Sequence, residues 1–500
     1  MPSAAKDPYS SLREELYRVY LLKTTLGLLD WDQQVNLPRN SADLRSEQSS
    51  LLAALHHDAF TSRRVEKALD AMESINSPSG NDQSVVTRLV RRDFDRAKRL
   101  PRKFVSEKTE HQSRSYHAWA MARENDDFAY FAPYLEKTLE LAKEESALQG
   151  FDRNPYDYHI DIHDPGLNAE KVESLFSALK APLTELVGLL IDSQAESKPE
   201  LFRGFPVSHQ ERFALLVTEK MGFDYSRGRL DRSVHPFCAG DGSDTRMTTR
   251  FDPDNPLDSL FSAVHETGHG LYSQGLPRDE AATPLGEAVG MAVHESQSRL
   301  WENQVARGRA FWRHFAPVYY KYFHEQLRSV SDDDFYLAVN HVSINPIRVD
   351  SDEATYNLHI MLRFELEKAL FDGQLSVRDL PGEWNRLCLS IIGLEPKNDT
   401  EGVLQDIHWS GGAFGYFPSY ALGNMIAAQL WYRVIEDIPA LESNFAEGDF
   451  APLLDWLRKN IHRHGRRYDT EELVKRATGK AISPEPLLRY LRERYLPPYT

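Results

Sequence analysis

Between Ala263 and Tyr272 the sequence reads AVHETGHGLY, which sets His265, Glu266 and His269 in the pattern H-E-x-x-H. On a helix, residues four apart lie about 40° apart around the axis, so both imidazoles reach one cation. Glu266 projects about 100° from His265: near enough to hold a water beside a metal, too far round to be a ligand. Such a set does hydrolysis, with a metal that keeps an open position and a carboxylate that takes a proton from water. With 18 histidines in 500 residues, chance writes the pattern in about one chain in twenty, so its surroundings must carry weight. They do: Leu257, Leu260, Phe261, Val264 and Leu271 form an apolar stripe, and the two histidines run along its edge.

A catalytic zinc takes three protein ligands and a water, so a third ligand is sought nearby. The segment PLGEAVGMAVHESQSRLWEN, read as a helix opening near Pro284, carries Glu287, His294, Glu295, Ser298, Arg299 and Glu302. Glu287, Glu295, Ser298, Arg299 and Glu302 share one face, a polar seam with Glu295 at its centre. Glu295 is the expected ligand, His294 its competitor and Glu287 a weaker candidate. An i,i+4 pair between Glu295 and Arg299 is the purely structural alternative. Both roles can hold at once, because a ligating carboxylate usually has its own partners.

The elements that position these residues read as helices almost throughout. Apolar stripes at helical spacing run through 10–29, 41–75, 83–147, 168–195 and 208–221, and resume at 256–275, 284–306, 310–342, 352–371, 380–391 and 418–438. The long, charged 83–147 stretch is expected to break into two or three surface helices. The exception is 226–252, where arginine, threonine and glycine alternate without a helical period; two or three short strands are expected there. Val349 and its neighbours make a second, weaker strand candidate. The reading is mainly α, one domain over 1–500, with a small inserted sheet and catalytic helices at 256–306.

Composition bounds the rest. The chain is 41% hydrophobic and 27% charged, with 11% aromatics, enough for a large core and unlike a disordered or disulfide-built protein. The 75 acidic against 59 basic residues, a formal −16, argue against binding nucleic acid or an anionic membrane. Cys238 and Cys388 are the two cysteines, which fits a reducing compartment. The N-terminus lacks the apolar core of a secretory leader, and no run approaches about 18 consecutive apolar residues. A soluble, cytoplasmic protein is the expectation.

Six ordered segments then carry a resemblance: HPF at His235, Pro236 and Phe237; DTRMT with Asp244, Arg246 and Thr248; HETGH; HESQSR from His294; IRVDSD from Ile347; and GVLQDIHW from Gly402. The set resembles the metallocarboxypeptidase family typified by carboxypeptidase Taq, whose motifs are HPF, DxRxT, HExxH, HES, IRxxAD and GxxQDxHW. Ser351 stands where the fifth motif has alanine. The resemblance implies a helical, saddle-like domain with a deep groove, usually paired as a homodimer. It implies one zinc per chain, replaceable by cobalt or manganese, and release of single residues from peptide C-termini with broad specificity.

It also implies roles. Arg348 is similar to the family's carboxylate-binding arginine; pairing with Asp350 or Asp352 is its structural alternative. Asp244, Arg246 and Thr248 read as a network bracing the strands, with Arg246 also a candidate peptide contact. His235, extended before Pro236, would line the groove. Gln405 and His408 would meet the peptide or its scissile carbonyl, Asp406 would orient His408, Arg299 would support Glu295, and Tyr420 would be a further donor. His56, His57 and His163 read as surface residues. A helical zinc endopeptidase, a dipeptidyl carboxypeptidase and a catalytically dead peptide-binding scaffold are the competing readings; an intact Glu266 argues against the last.

Overall fold

Caps and breakers in the sequence mark where each helix starts. Helix α10 (Pro256–Gly275) opens on Asn255, whose side chain accepts the Asp258 amide, with proline in its first turn. The structure, a computed structural model, describes residues 7–75, 78, 80–193 and 201–496. Before α10 come α1 (Pro8–Val35), α2 (Ala42–Phe60), α3 (Arg63–Glu73), α4 (Asp82–Arg99), α5 (Arg102–Asn125), α6 (Phe128–Leu148), α7 (Pro155–His163), α8 (Ala169–Ser193) and α9 (Val207–Lys220). After it come α11 (Met291–Arg299), α12 (Arg309–Tyr322), α13 (His324–Leu327), α14 (Asp332–Val339), α15 (Tyr356–Phe371) and α16 (Leu380–Leu387). The chain ends with α17 (Phe417–Asp437), α18 (Leu441–Ala446), α19 (Ala451–Asn460), α20 (Thr470–Thr478) and α21 (Glu485–Tyr495). The fold is mainly α, and the charged 83–147 stretch forms the three helices α4, α5 and α6.

Strands β1 (Gly228–Arg232), β2 (Phe237–Gly240) and β3 (Thr245–Thr249) build one sheet in the order β1-β3-β2. β3 pairs parallel to β1, with Arg229 opposite Arg246, and antiparallel to β2, with Cys238 opposite Met247. It is the buried central strand. Thr249 Oγ1 donates to the Ser259 carbonyl at 3.1 Å, which ties the sheet to the first turns of α10.

The apolar core is double. A large cluster spans most of the chain from α5 to α21. A smaller one joins α1, α3 and α4 through Leu12, Leu16, Leu69, Val86 and Phe94, and Leu285 is its contribution from the body. Ion pairs cross between the two: Arg13–Glu280 at 2.8 Å, Lys23–Glu287 at 2.5 Å and Arg466–Asp93 at 2.9 Å. Helix α8 is long and apolar enough to cross a membrane by length and composition. Its apolar face, including Val172, Phe176, Leu179, Leu183 and Leu190, is buried in the large core.

Three expectations need correction. The helix expected from Pro284 starts at Met291: Pro284–Gly286 is a 3-10 turn, Glu287 is extended, and Gly290 is the extended cap. Asp164, reaching from the end of α7, accepts the Ala292 amide at 2.8 Å and so fixes the helix start from outside. Val349 lies in the 3-10 turn Arg348–Asp350 and not in a strand. His163 is not a surface residue: burial pushes it down to about 4, and its ring packs edge-on to Tyr416 at 5.0 Å.

Candidate active site

Helix α10 carries His265 and His269 with ring centroids 4.9 Å apart. From α11, Glu295 brings Oε2 to 3.5 Å from Nε2 of each histidine. All three donor atoms lie within 4.8 Å of one another. Ligands about 2.0–2.2 Å from a tetrahedral zinc sit about 3.3–3.5 Å apart, so the cluster has the dimensions of one metal site.

The far side of each candidate ligand is also held. His265 Nδ1 meets Glu302 Oε2 at 2.8 Å, and His269 Nδ1 meets His294 Nδ1 at 2.5 Å. Donating Nδ1–H outward leaves Nε2 bare toward the metal position. His294 thus lies behind His269 and outside the three-residue cluster. Glu295 Oε1 accepts from Arg299 Nε at 2.7 Å and Oε2 from Ser298 Oγ at 3.2 Å. Against the cost of burial, Arg299 and His265 hold Glu295 well below the usual carboxylate range and Glu302 down to about 2. Both stay anionic in a buried place. Glu287, the weakest candidate, is engaged elsewhere by Lys23 and Arg466.

Glu266 is buried, and burial pushes its pKa upward, which suits a group that must take a proton and give it back. The helices carrying these residues touch backbone to backbone. A β-carbon at Gly268 would stand 2.6 Å from the Gln297 carbonyl oxygen and 2.5 Å from Ser298 Cα. Only glycine permits that approach.

A second cluster gathers around Arg348, which is buried. Its Nε and Nη2 donate to Asp406 Oδ1 at 3.0 and 2.7 Å, its Nη1 to Tyr356 Oη at 2.7 Å, and its amide to Gln405 Oε1 at 2.8 Å. Pairing with Asp350 or Asp352 does not occur; Asp352 instead accepts the Ala354 and Thr355 amides. Ser351 donates to the Ile347 carbonyl at 2.9 Å and meets His359 Nε2 at 3.0 Å, so the residue that departs from the motif braces the Arg348 turn. Gln405 is also a brace. Its oxygen accepts from Arg348 and Arg363, its nitrogen donates to the Pro346 and Glu401 carbonyls, and no capacity remains for a peptide.

His408 is not oriented by Asp406: its Nδ1 is 3.9 Å from Oδ1, beyond hydrogen-bond range, because both Asp406 oxygens serve arginines. Its Nε2 lies 3.3 Å from Tyr420 Oη, its ring centroid is 4.5 Å from that of Phe417, and burial pushes it down to about 3. Tyr420 stands edge-on to Tyr416 at 5.2 Å and to Tyr356 at 6.1 Å. Burial raises Tyr416 to about 12 and holds Tyr420 well above the ordinary phenol value, so both keep the phenol proton needed to donate. Tyr356, Tyr416, Glu302 as the partner of His265, and Arg363 were not anticipated in these roles. Glu302 had a visible signal in the polar seam; the others had none.

The sheet residues are held by one another and by α1. Arg246 forms a two-pronged pair with Asp244 at 2.9 Å and lies 4.2 Å over the Trp31 ring of α1. Thr248 Oγ1 accepts from the Phe237 amide at 3.0 Å and lies 2.7 Å from Ser233 Oγ. His235 is exposed, and its carbonyl accepts from Ser233 Oγ at 2.5 Å. This network joins α1 to the sheet and β2 to β3.

Residues 11–495 match the family model described as carboxypeptidase Taq (M32) metallopeptidase. The chain is 40% identical to thermostable carboxypeptidase 1 of Thermus thermophilus, with 99% of each covered. It is 35% identical to carboxypeptidase 1 of Bacillus subtilis, with 96% of each covered. Its structure superposes on the crystal structure of the M32 carboxypeptidase from Deinococcus radiodurans with a TM-score of 0.96 at 41% identity, covering 98% of this chain and 99% of that one. A two-histidine, one-glutamate cluster inside a full-length match of this kind leaves one conclusion: the chain belongs to the carboxypeptidase Taq (M32) family and is a metal-dependent carboxypeptidase.

Proposed function

We propose that the metal is one zinc ion per chain, held by His265, His269 and Glu295, and that cobalt or manganese can replace it. Glu266 is the general base, and Arg348 binds the terminal carboxylate of the peptide. The enzyme releases one residue at a time with broad specificity, working in the cytoplasm as a homodimer.

One observation carries the single-residue reading. Arg299, which holds Glu295, lies 4.5 Å over the ring of Tyr356, and the hydroxyl of that same tyrosine accepts from Arg348. One aromatic side chain thus separates the ligand shell from the carboxylate clamp. A clamp held one side chain away from the ligand residues favours cleavage close to the carboxylate over cleavage further along the peptide.

Zinc, when bound, supplies a Lewis acid for the scissile carbonyl and a water of lowered pKa. Glu266 would take a proton from the attacking water and hand it to the leaving amine. His265 and His269, fixed in one tautomer by Glu302 and His294, keep Nε2 available. Tyr416 and Tyr420 remain protonated and offer donors to the carbonyl oxygen as it gains charge. Arg348 spends three of its five N–H groups on Asp406 and Tyr356, which leaves one on each terminal nitrogen for a carboxylate.

Digestion of a synthetic peptide, followed by mass spectrometry with and without a chelator, tests the reading. A ladder of single-residue losses that stops on chelation is expected. Two-residue steps, or equal cleavage of amidated and free-acid peptides, would overturn it.

A further inference from the structure

Behind Arg348 three charged side chains meet in a place shut off from water. Asp406 Oδ1 accepts from Arg348, and Asp406 Oδ2 accepts from Arg363 Nε at 2.6 Å. Arg363 is fully buried. It also donates to Gln405 Oε1 at 2.7 Å and to the His359 carbonyl at 2.8 Å, and it lies 4.7 Å over Trp384 and 5.4 Å over Phe417. His359 and His408 border the cluster, and burial keeps both neutral at neutral pH. Among the groups joined by hydrogen bonds the count is two cations against one anion; buried Glu367, one turn along α15, is pushed by burial up to about 7 and accepts from Trp409, Tyr156 and the Gly415 amide instead. One positive charge is left without a partner, a costly arrangement that folds retain chiefly where function uses it.

We propose that Arg363 is a positioning residue for substrate binding: by sharing Asp406 with Arg348 it prevents a closed, neutral Arg348–Asp406 pair, so that the carboxylate of the peptide is the anion that completes the cluster. The inference rests on the reading of Arg348 as the carboxylate clamp. Arg363 touches none of the three ligand residues, so its effect belongs to binding of the anionic terminus and not to activation of water. A peptide amide has the same shape without the charge and gains nothing from Arg363.

The test measures kcat and KM of the metal-loaded enzyme on an N-blocked tripeptide with a free carboxylate and on its C-terminal amide. Arg363→Met is expected to raise KM for the free acid about tenfold or more, with kcat within about threefold. Cleavage of the amide and metal content should not change, and adding Arg363→Met to Arg348→Ala should have no further effect, as for residues acting in one chain. Arg363→Lys keeps the charge and should stay within about threefold of the wild-type KM. If Arg363→Met does not fold, the lysine variant decides alone: a KM near wild type supports the proposal, and one matching Arg348→Ala overturns it. A wild-type KM in Arg363→Met, equal losses on acid and amide, or equal KM increases in the lysine and methionine variants would also overturn it. If Arg348→Ala leaves the acid-to-amide preference intact, the clamp reading falls and takes this inference with it. If that preference collapses in Arg348→Ala but holds in Arg363→Met, only the inference about Arg363 fails.

Discussion

Gly423 of α17 lies directly against Glu295 of α11: a β-carbon at 423 would stand 2.6 Å from Glu295 Cγ and 2.7 Å from its Cβ. The carboxylate therefore has its place because the neighbouring helix has no side chain there. Gly423→Ala must displace either the helix or the glutamate, since the obstructing atoms include Cβ and cannot swing aside. Metal affinity should fall about 10–100-fold, as when a ligand's support is lost, while thermal unfolding shows a folded protein. Chelator competition reads this, and wild-type affinity in the variant would show that α17 does not position the ligand.

Removing a ligand and removing its support should differ in degree. His265→Ala and Glu295→Ala should lose the metal on dialysis, because two donors make a poor site. His294→Ala leaves all three donors and should weaken binding by about 10–100-fold without abolishing it. Metal analysis beside activity separates the cases. Full metal in Glu295→Ala, together with its loss in His294→Ala, would exchange their roles.

Glu266→Gln keeps the shape of the side chain and cannot accept a proton. Turnover should fall by about 10² or more at unchanged metal content, since general-base catalysis contributes on that order. Near wild-type turnover would remove Glu266 from the mechanism.

Acid should destabilise the fold in a defined window. His159 is buried between α6 and α7, meets the Ala142 carbonyl at 3.1 Å, and is pushed by burial from 6.5 down to about 4. A histidine with a lower pKa in the folded than in the unfolded state gives the unfolded chain more bound protons, so stability is lost as pH falls. The loss from His159 begins below about 6.5 and reaches roughly 3 kcal/mol by about 4, and buried His163 acts in the same direction. Thermal midpoints measured across this window should drop, and His159→Gln, which keeps a donor for Ala142, should show a shallower slope. An identical slope in the variant would mean that His159 does not take up the proton.

What the sequence determined by itself was local or periodic. His265, Glu266 and His269 could be picked out as candidates because a helix repeats every 3.6 residues, and Glu295 because it lay at the centre of a polar seam on an otherwise apolar stretch; the fold brings His265, His269 and Glu295 together. The small sheet showed itself by the failure of that period. Contacts between distant elements left no such trace. His294 and Glu295 are adjacent in the chain, and only the approach of α10 and α17 decided which of them turns its donor atom to Nε2 of both His265 and His269. Asp406 in sequence looks like the partner of His408; in space Arg348 and Arg363 take both its oxygens, because two guanidiniums offer a buried carboxylate more than one neutral imidazole. Arg363, Tyr356 and Gly423 sit in ordinary helical runs. Their importance lies in burial, stacking and close approach, which belong to the assembled fold and to no spacing along the chain.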